Sequence, residues 1–233
     1  MNKVHKDIPK QAQTSSSKML LAMAGIGAVC ALLIAFVFET TLPRRESLKE
    51  EALQQAIFKV VPNGKKSIAF VLNDEGILAP LGDGEKGEVA LYAAYDDNGV
   101  LQGVAIEATG QGYADLIKVL YGYSLEREAI VGHYVLESKE TPGLGDRIEK
   151  DERFLTNFKM LSARLDASGK QLLHPIVTVK EGRKQQTWEI DGMTGATISS
   201  RAIGDILNKS CQQMLPLVQA QKEQIQNAYG NLN

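Results

Sequence analysis

The run Asp191-Gly192-Met193-Thr194-Gly195-Ala196-Thr197 gathers a carboxylate, two hydroxyls and two glycines into seven positions. Gly195 and Ala196 leave the backbone bare, so a bulky group can approach it. The residues before this run read as a short strand and residues 198–215 read as a helix, which predicts Thr197 at the helix N-cap. Free N–H groups and the helix dipole favour an anion there, and the Thr197 hydroxyl would either cap the helix or carry a phosphate. Asp191 is placed to orient a metal or a hydroxyl during phosphoryl transfer. Taken as Gly-Ala-Thr alone, the segment would be an ordinary strand–turn–helix junction.

Two other glycine-bearing segments precede it. Glu140-Thr141-Pro142-Gly143-Leu144-Gly145-Asp146 contains a type II turn signal, with Pro142 setting φ and Gly143 taking the positive-φ corner. Its small residues would let a flat ring reach the backbone, with Glu140 and Thr141 offering hydrogen bonds. Gly110-Gln111-Gly112-Tyr113 reads by itself as a turn. Tyr113 and Trp188 are not assigned to a site, because an aromatic in a strand belongs more often to the core.

Several chemistries find no support. Cys30 lies in an apolar run far from Cys211, no CxxC or CxxCH occurs, and His5, His133 and His174 are scattered. No metal site, iron–sulfur cluster or c-type haem is expected of this chain, and no catalytic residue is assigned. Neither Gly82-Asp83-Gly84 nor Gly110-Gln111-Gly112 has the strand–turn–helix setting of a dinucleotide fingerprint.

The elements that must position these segments follow from patterning. Strands are expected over residues 67–72, 88–95, 100–108, 116–123 and 128–138, with short ones at 176–180 and 186–190 joined by a Glu181-Gly182 turn. Asp96-Asp97-Asn98-Gly99 is a turn signal. Residues 46–61 have a helical period, 147–160 are mixed helical, and the polar end is either helical or frayed. Antiparallel strands with helices at the ends predict an α+β domain.

Ahead of this domain, residues 19–38 read MLLAMAGIGAVCALLIAFVF, 20 residues without a charge. As a helix they span about 30 Å, the thickness of a bilayer core. The run exceeds a signal-peptide core and lacks an A-x-A site after it, which favours an uncleaved anchor. Lys3, Lys6, Lys10 and Lys18 precede it while Arg44, Arg45 and Lys49 follow, a slight lean to a cytoplasmic N-terminus. The expected organisation is a cytoplasmic tail over 1–18, a membrane helix over 19–38, a stalk helix over 39–65, one domain over 66–216 and a polar tail over 217–233. The 233 residues carry a net charge of −2, and Asp7 is the single acid among the first 38 residues, so the remainder carries −5. That balance excludes a nucleic-acid partner.

The run from Asp191 to Thr197 resembles the Asp-x-x-(Ser/Thr)-Gly-Ala-(Ser/Thr) motif of flavin transferases, which attach FMN through a phosphoester to the final hydroxyl. By average residue usage the pattern arises by chance in on the order of one chain in a thousand of this length. Together with the Gly110–Tyr113 segment and the 140–146 loop before it, and with the anchor in layout, it resembles the FMN-binding domain of the G subunit of Rnf-type ion-translocating oxidoreductase complexes. The C subunit of the sodium-translocating NADH:quinone oxidoreductase is a close alternative. Gly145-Asp146-Arg147-Ile148 and the compact segment before the first motif favour the Rnf-type G subunit. Where G subunits often have histidine or other polar residues before the loop, this chain has Leu136-Glu137-Ser138-Lys139.

The resemblance implies a covalent FMN on Thr197, with Thr194, Gly195, Ala196, Glu140, Thr141, Gly143 and Leu144 around the cofactor and Asp191 recognised by the transferase. It implies an electron-relaying subunit of a complex that moves Na⁺ or H⁺, anchored in the bacterial inner membrane with its domain on the periplasmic side. Its partners would be the other subunits, the transferase and the membrane. Two rival readings are a stand-alone flavinylated reductase, which would normally add a second cofactor site, and a flavin-free anchored adaptor.

Overall fold

The computed structural model describes residues 16–73, 75–82 and 87–231. Lys3, His5, Lys6 and Lys10, together with Asp83 and Gly84 of the Gly82-Asp83-Gly84 run, lie outside the described residues. The chain divides into two units, Met1–Glu50 and Glu51–Asn233. In the first, every described residue belongs to helix α1 (Ser16–Val60). From Ser16 to Leu42 this helix is long and apolar enough to cross a membrane. Leu20, Leu21, Ile26, Leu32, Ile34 and Phe36 are all exposed, which suits a helix solvated by lipid rather than by a core. Thr40 and Thr41 return their hydroxyls to the carbonyls of Phe36 and Val37 at 2.8 and 2.7 Å, so neither needs an outside partner.

The second unit is built on an antiparallel sheet of seven strands in the order β2-β1-β3-β4-β5-β6-β7. These are β1 (Lys66–Leu72), β2 (Leu78–Pro80), β3 (Val89–Tyr95), β4 (Leu101–Gln111), β5 (Leu116–Ser124), β6 (Ala129–Glu137) and β7 (Leu161–Ser162). Side chains alternate between the sheet's faces, and both faces are buried. Ala93, Val104, Ile106, Val119 and Tyr121 join a core with Ile203, Ile206 and Leu207 of helix α4 (Thr197–Ala220). In the opposite phase, Ala94, Ala105 and Leu120 pack with Ala56, Ile57, Val60 and Val61 at the end of α1.

That second face depends on absent side chains. Gly122 of β5 and Gly132 of β6 are cross-strand partners. A Cβ on either would collide with the Val60 carbonyl, so the pair makes the seat for the end of α1. Gly122→Ala is expected to cost about 3 kcal/mol, the upper end of overpacking costs, because backbone must move. Denaturant unfolding of the detergent-solubilised chain measures this, and an unchanged midpoint would mean that α1 is not seated there.

His133 on β6 is buried, stacks on Phe158 with ring centroids 4.4 Å apart, and has no partner for either ring nitrogen among the described residues. It is a core histidine, and burial pushes its pKa down to about 3. The unfolded chain titrates near 6.5, so between these values it binds the proton that the fold excludes. Stability therefore falls as the pH drops from about 6.5 towards 3, by up to about 1.4 kcal/mol per pH unit, and this contribution is complete above that window. Comparing the unfolding midpoint of wild type and His133→Leu across that range should show a flatter profile for the variant.

Two features differ from the sequence expectations, and a third decides between two alternatives left open there. The strands β8 (Val177–Val179) and β9 (Glu189–Asp191) pair in parallel, not as a hairpin. Gly182 turns the chain at φ +74, but the Gln185 and Gln186 N–H groups then donate to the Glu189 carboxylate, and the chain re-enters in the same direction. The strands β2 and β7 are three and two residues long, too short to show a period. The polar end is helical, forming α5 (Lys222–Asn231), with Ile225 and Ala228 buried and the Tyr95 hydroxyl donating to the Ile225 carbonyl.

Candidate functional site

Three glycine-bearing segments converge on one cleft of about 340 Å³, lined by Tyr113, Glu140, Thr141, Leu144 and Ile198 together with Thr197. The first segment is the turn after β4, the second the loop after β6, and the third the entry into α4. Glu140 fastens them together. It is buried, its Oε1 accepts the backbone N–H groups of Tyr113 and Ala114 at 2.8 and 3.0 Å, and its Oε2 accepts the Ser199 hydroxyl. Gly112 and Gly145 flank this carboxylate, and a Cβ on either would collide with it. The glycines thus make room for the residue that joins the segments.

The loop itself is the expected type II turn. Gly143 has φ +78, and the Leu144 N–H donates to the Thr141 carbonyl at 3.1 Å. Asp146 then accepts the Gly143 N–H at 2.6 Å and pairs with Lys150 at 2.7 Å. The hydrogen bond from Lys150 holds the Asp146 carboxyl below its usual pKa. Arg147, at the start of α2 (Arg147–Lys150), donates to the Thr194 carbonyl at 3.0 Å and to Asp151 at 2.7 Å, tying the loop to the turn before α4.

Thr197 is the first residue of α4, and Ala196 occupies the N-cap with no side-chain cap, one residue earlier than expected. The Thr197 hydroxyl donates to the Met193 carbonyl at 3.2 Å, and the residue is exposed. It is therefore not consumed as a cap. The first turn of α4 contributes no acidic residue of its own, and the nearby Glu140 carboxylate is engaged by the Ser199 hydroxyl and two backbone N–H groups. Gly195, with φ +85, turns the backbone into this position.

Of the residues expected at the site, Glu140, Thr141, Leu144, Gly195, Ala196 and Thr197 line the cleft. Gly143, Thr194 and Asp191 do not. Gly143 shapes the turn. Thr194 donates its N–H to Glu181 at 2.9 Å on the other side of the helix entry. Asp191 is held through its backbone by Asn157, at 2.9 and 3.1 Å, while its carboxylate accepts the Arg183 N–H at 3.3 Å. Glu140 is expected from sequence to offer hydrogen bonds to a ligand, but three protein donors already occupy most of its about four lone-pair sites. The cleft also includes Tyr113, Gly145, Ile198 and Ser199, which sequence reasoning does not assign. Tyr113 belongs to the Gly110–Tyr113 segment that its glycines mark. Ile198 and Ser199 carry no signal except adjacency to Thr197.

The FMN-binding domain family matches residues 112–212. The chain is 30% identical over 174 residues to the G subunit of the ion-translocating oxidoreductase complex of Escherichia coli K12, covering 74% of this chain and 76% of that one. It is 27% identical over 195 residues to the protein of the same name in Methanosarcina acetivorans, covering 83% and 92%. It is also 28% identical over 200 residues to the G subunit of the Na(+)-translocating ferredoxin:NAD(+) oxidoreductase complex of Acetobacterium woodii, covering 84% and 89%. Among solved structures, NqrC of Shewanella oneidensis superposes with a TM-score of 0.58 at 20% identity, covering 79% of this chain and 99% of that one. That likeness establishes the α+β fold. The sequence shared with the Escherichia coli protein establishes more: the chain belongs to the G-subunit family of ion-translocating oxidoreductase complexes.

Proposed function

We propose that this chain is the electron-transfer subunit of a membrane-bound ion-translocating oxidoreductase complex, with FMN joined by a phosphoester to Thr197. The observation that carries the reading is the convergence of the three segments on one cleft with an exposed threonine hydroxyl at its edge and the N-terminus of α4 behind it. The residues fit the group. Leu144, Ile198 and Tyr113 offer apolar surface for a flat ring, and about 340 Å³ lies within the range of small-molecule clefts. The first N–H groups of α4 and its dipole favour the phosphate.

When bound, FMN supplies the electron uptake and release, and the chain supplies position and surroundings. Leu144 and Ile198 exclude water from the ring, Thr141 offers a hydroxyl, and Thr197 Oγ anchors the phosphate. No residue need act as acid or base in electron transfer, so the chain alone turns over no substrate. The cofactor-contacting set we propose is Thr197, Ala196, Gly195, Thr141 and Leu144, with Gly143 and Glu140 shaping it. Thr194 and Asp191, away from the cleft, would belong to the surface that a flavin transferase recognises.

We place α1 as an anchor in the bacterial inner membrane, with the N-terminus in the cytoplasm and the domain on the periplasmic side. Electron flow through the complex would drive Na⁺ or H⁺ across that membrane. The chain co-expressed with a flavin transferase should keep flavin fluorescence on its band after denaturing electrophoresis. A dark band beside a labelled control acceptor would refute the attachment. Trypsin added to spheroplasts should digest the domain from outside, whereas protection would refute the orientation.

A further inference from the structure

Thr197 lines a second cleft, of about 330 Å³, on the side of the helix entry away from Tyr113 and Leu144. Its chemistry differs from the first. Lys180, Arg183 and Arg201 line it, all three are exposed, and none makes an ion pair or side-chain hydrogen bond among the described residues. The basic residues nearby on α2 and α3 (Glu152–Thr156) are paired: Arg147 and Arg153 with Asp151, at 2.7 and 3.7 Å, and Lys150 with Asp146 at 2.7 Å. The carboxylate in this cleft is Glu181, and it is turned to the Thr194 N–H at 2.9 Å. Three cations against one occupied anion leave a net positive cleft beside the acceptor hydroxyl. An apolar ring has no use for such charges, whereas a phosphate does.

We propose that Lys180, Arg183 and Arg201 form a phosphoryl subsite beside Thr197, which receives the phosphates of the flavin nucleotide as it is attached. The proposal rests on the attachment at Thr197 argued above. Ester formation needs an activated donor, a phosphoanhydride such as flavin adenine dinucleotide. Thr197 Oγ bonds to the flavin-side phosphorus as the P–O–P linkage breaks, and the nucleoside monophosphate leaves with the bonding pair. The hydroxyl proton passes to a base of the transferase. Negative charge grows on the leaving oxygen during this step, and cations at the subsite stabilise it. Two phosphates share this chemistry: the one that stays on Thr197 and the one that departs.

The test uses the unmodified full-length chain in detergent, a flavin transferase and flavin adenine dinucleotide, with attachment followed by in-gel fluorescence. The triple variant Lys180→Glu/Arg183→Glu/Arg201→Glu is expected to attach flavin at least about a hundredfold more slowly at saturating chain concentration, the lower end of what losing a group that stabilises developing charge costs. Its rate should also respond less to salt. The neutral triple variant to glutamine should fall between it and wild type. Lys222→Glu, beyond the far end of α4 and about 36 Å away at 1.5 Å per residue, should match wild type. Thermal unfolding of each unmodified variant reports whether the fold is intact. If the departing phosphate is the occupant, the loaded triple variant gains the same midpoint shift on loading as wild type. If the retained phosphate is, that shift shrinks. A rate within twofold of wild type with unchanged salt dependence overturns the subsite. So does a defect that raised chain concentration erases, because that is docking of the transferase. A wild-type chain that takes no flavin beside a labelled control acceptor overturns the attachment reading, and the subsite with it.

Discussion

Thr197→Ala is expected to leave the chain without attached flavin, while Thr197→Ser keeps it. The physical reason is that an ester needs an oxygen at that position, and serine supplies one with the same reach. The stability of the fold should change little. The hydroxyl makes one hydrogen bond, 3.2 Å to the Met193 carbonyl on an exposed residue, worth about 1 kcal/mol or less. Loss of attachment in a folded chain is therefore the clean reading. Thr194 cannot substitute without rearrangement, because its backbone is held by Glu181 at 2.9 Å and Arg147 at 3.0 Å on the other side of the turn. Intact mass of chains co-expressed with a transferase reads the outcome: wild type and Thr197→Ser gain one FMN less a water, and Thr197→Ala gains nothing.

The second large effect is on Glu140. Glu140→Ala removes an acceptor from the Tyr113 and Ala114 N–H groups and from the Ser199 hydroxyl at once. Hydrogen bonds to a charged group are worth about 1.5–3 kcal/mol each, and stranding the buried Ser199 hydroxyl costs more than its bond alone. Relaxation of the loop recovers part of this, so a loss of about 4 kcal/mol is expected, or roughly 10 °C in unfolding midpoint for a chain of this size. Glu140→Gln keeps an oxygen for the two backbone donors, and Ser199 can rotate to accept from the new amide. It should lose about half as much. Attachment should follow the same ranking, with wild type above Gln and Gln above Ala, because the three segments part in that order. Equal midpoints for wild type and Glu140→Ala would mean that the carboxylate does not fasten them.

Much of this arrangement is legible in the residues. The positive φ of Gly143 follows from Pro142-Gly143, and the central strands follow from runs bounded by turn signals such as Asp96-Asp97-Asn98-Gly99, whose apolar residues the sheet buries on both faces. The helix entry at Thr197 is displaced by one residue, because Ala196 takes the N-cap without a polar side chain. What cannot be read is which segments meet. Glu140 reaches Tyr113 and Ser199 across 27 and 59 positions of sequence, and nothing local marks either partner. Tyr113 is ambiguous for the same reason, since an aromatic beside a glycine pair acquires a role only when the 140–146 loop comes to face it. The buried contacts of α5 are hidden in a polar composition, where Ile225 and Ala228 are too few to declare a face. The parallel pairing of β8 and β9 is hidden by Gly182, whose turn signal is equally compatible with a hairpin.

The most direct test of the central claim is to locate the flavin on the chain. Trypsin releases residues 185–201, bounded by Lys184 and Arg201, as one peptide that contains both Thr194 and Thr197. Fragmentation of this peptide from transferase-loaded chain should place the flavin phosphoryl group on Thr197 with Thr194 unmodified. An adduct on Thr194 or elsewhere, or an unmodified peptide from a preparation in which a control acceptor is labelled, would contradict it.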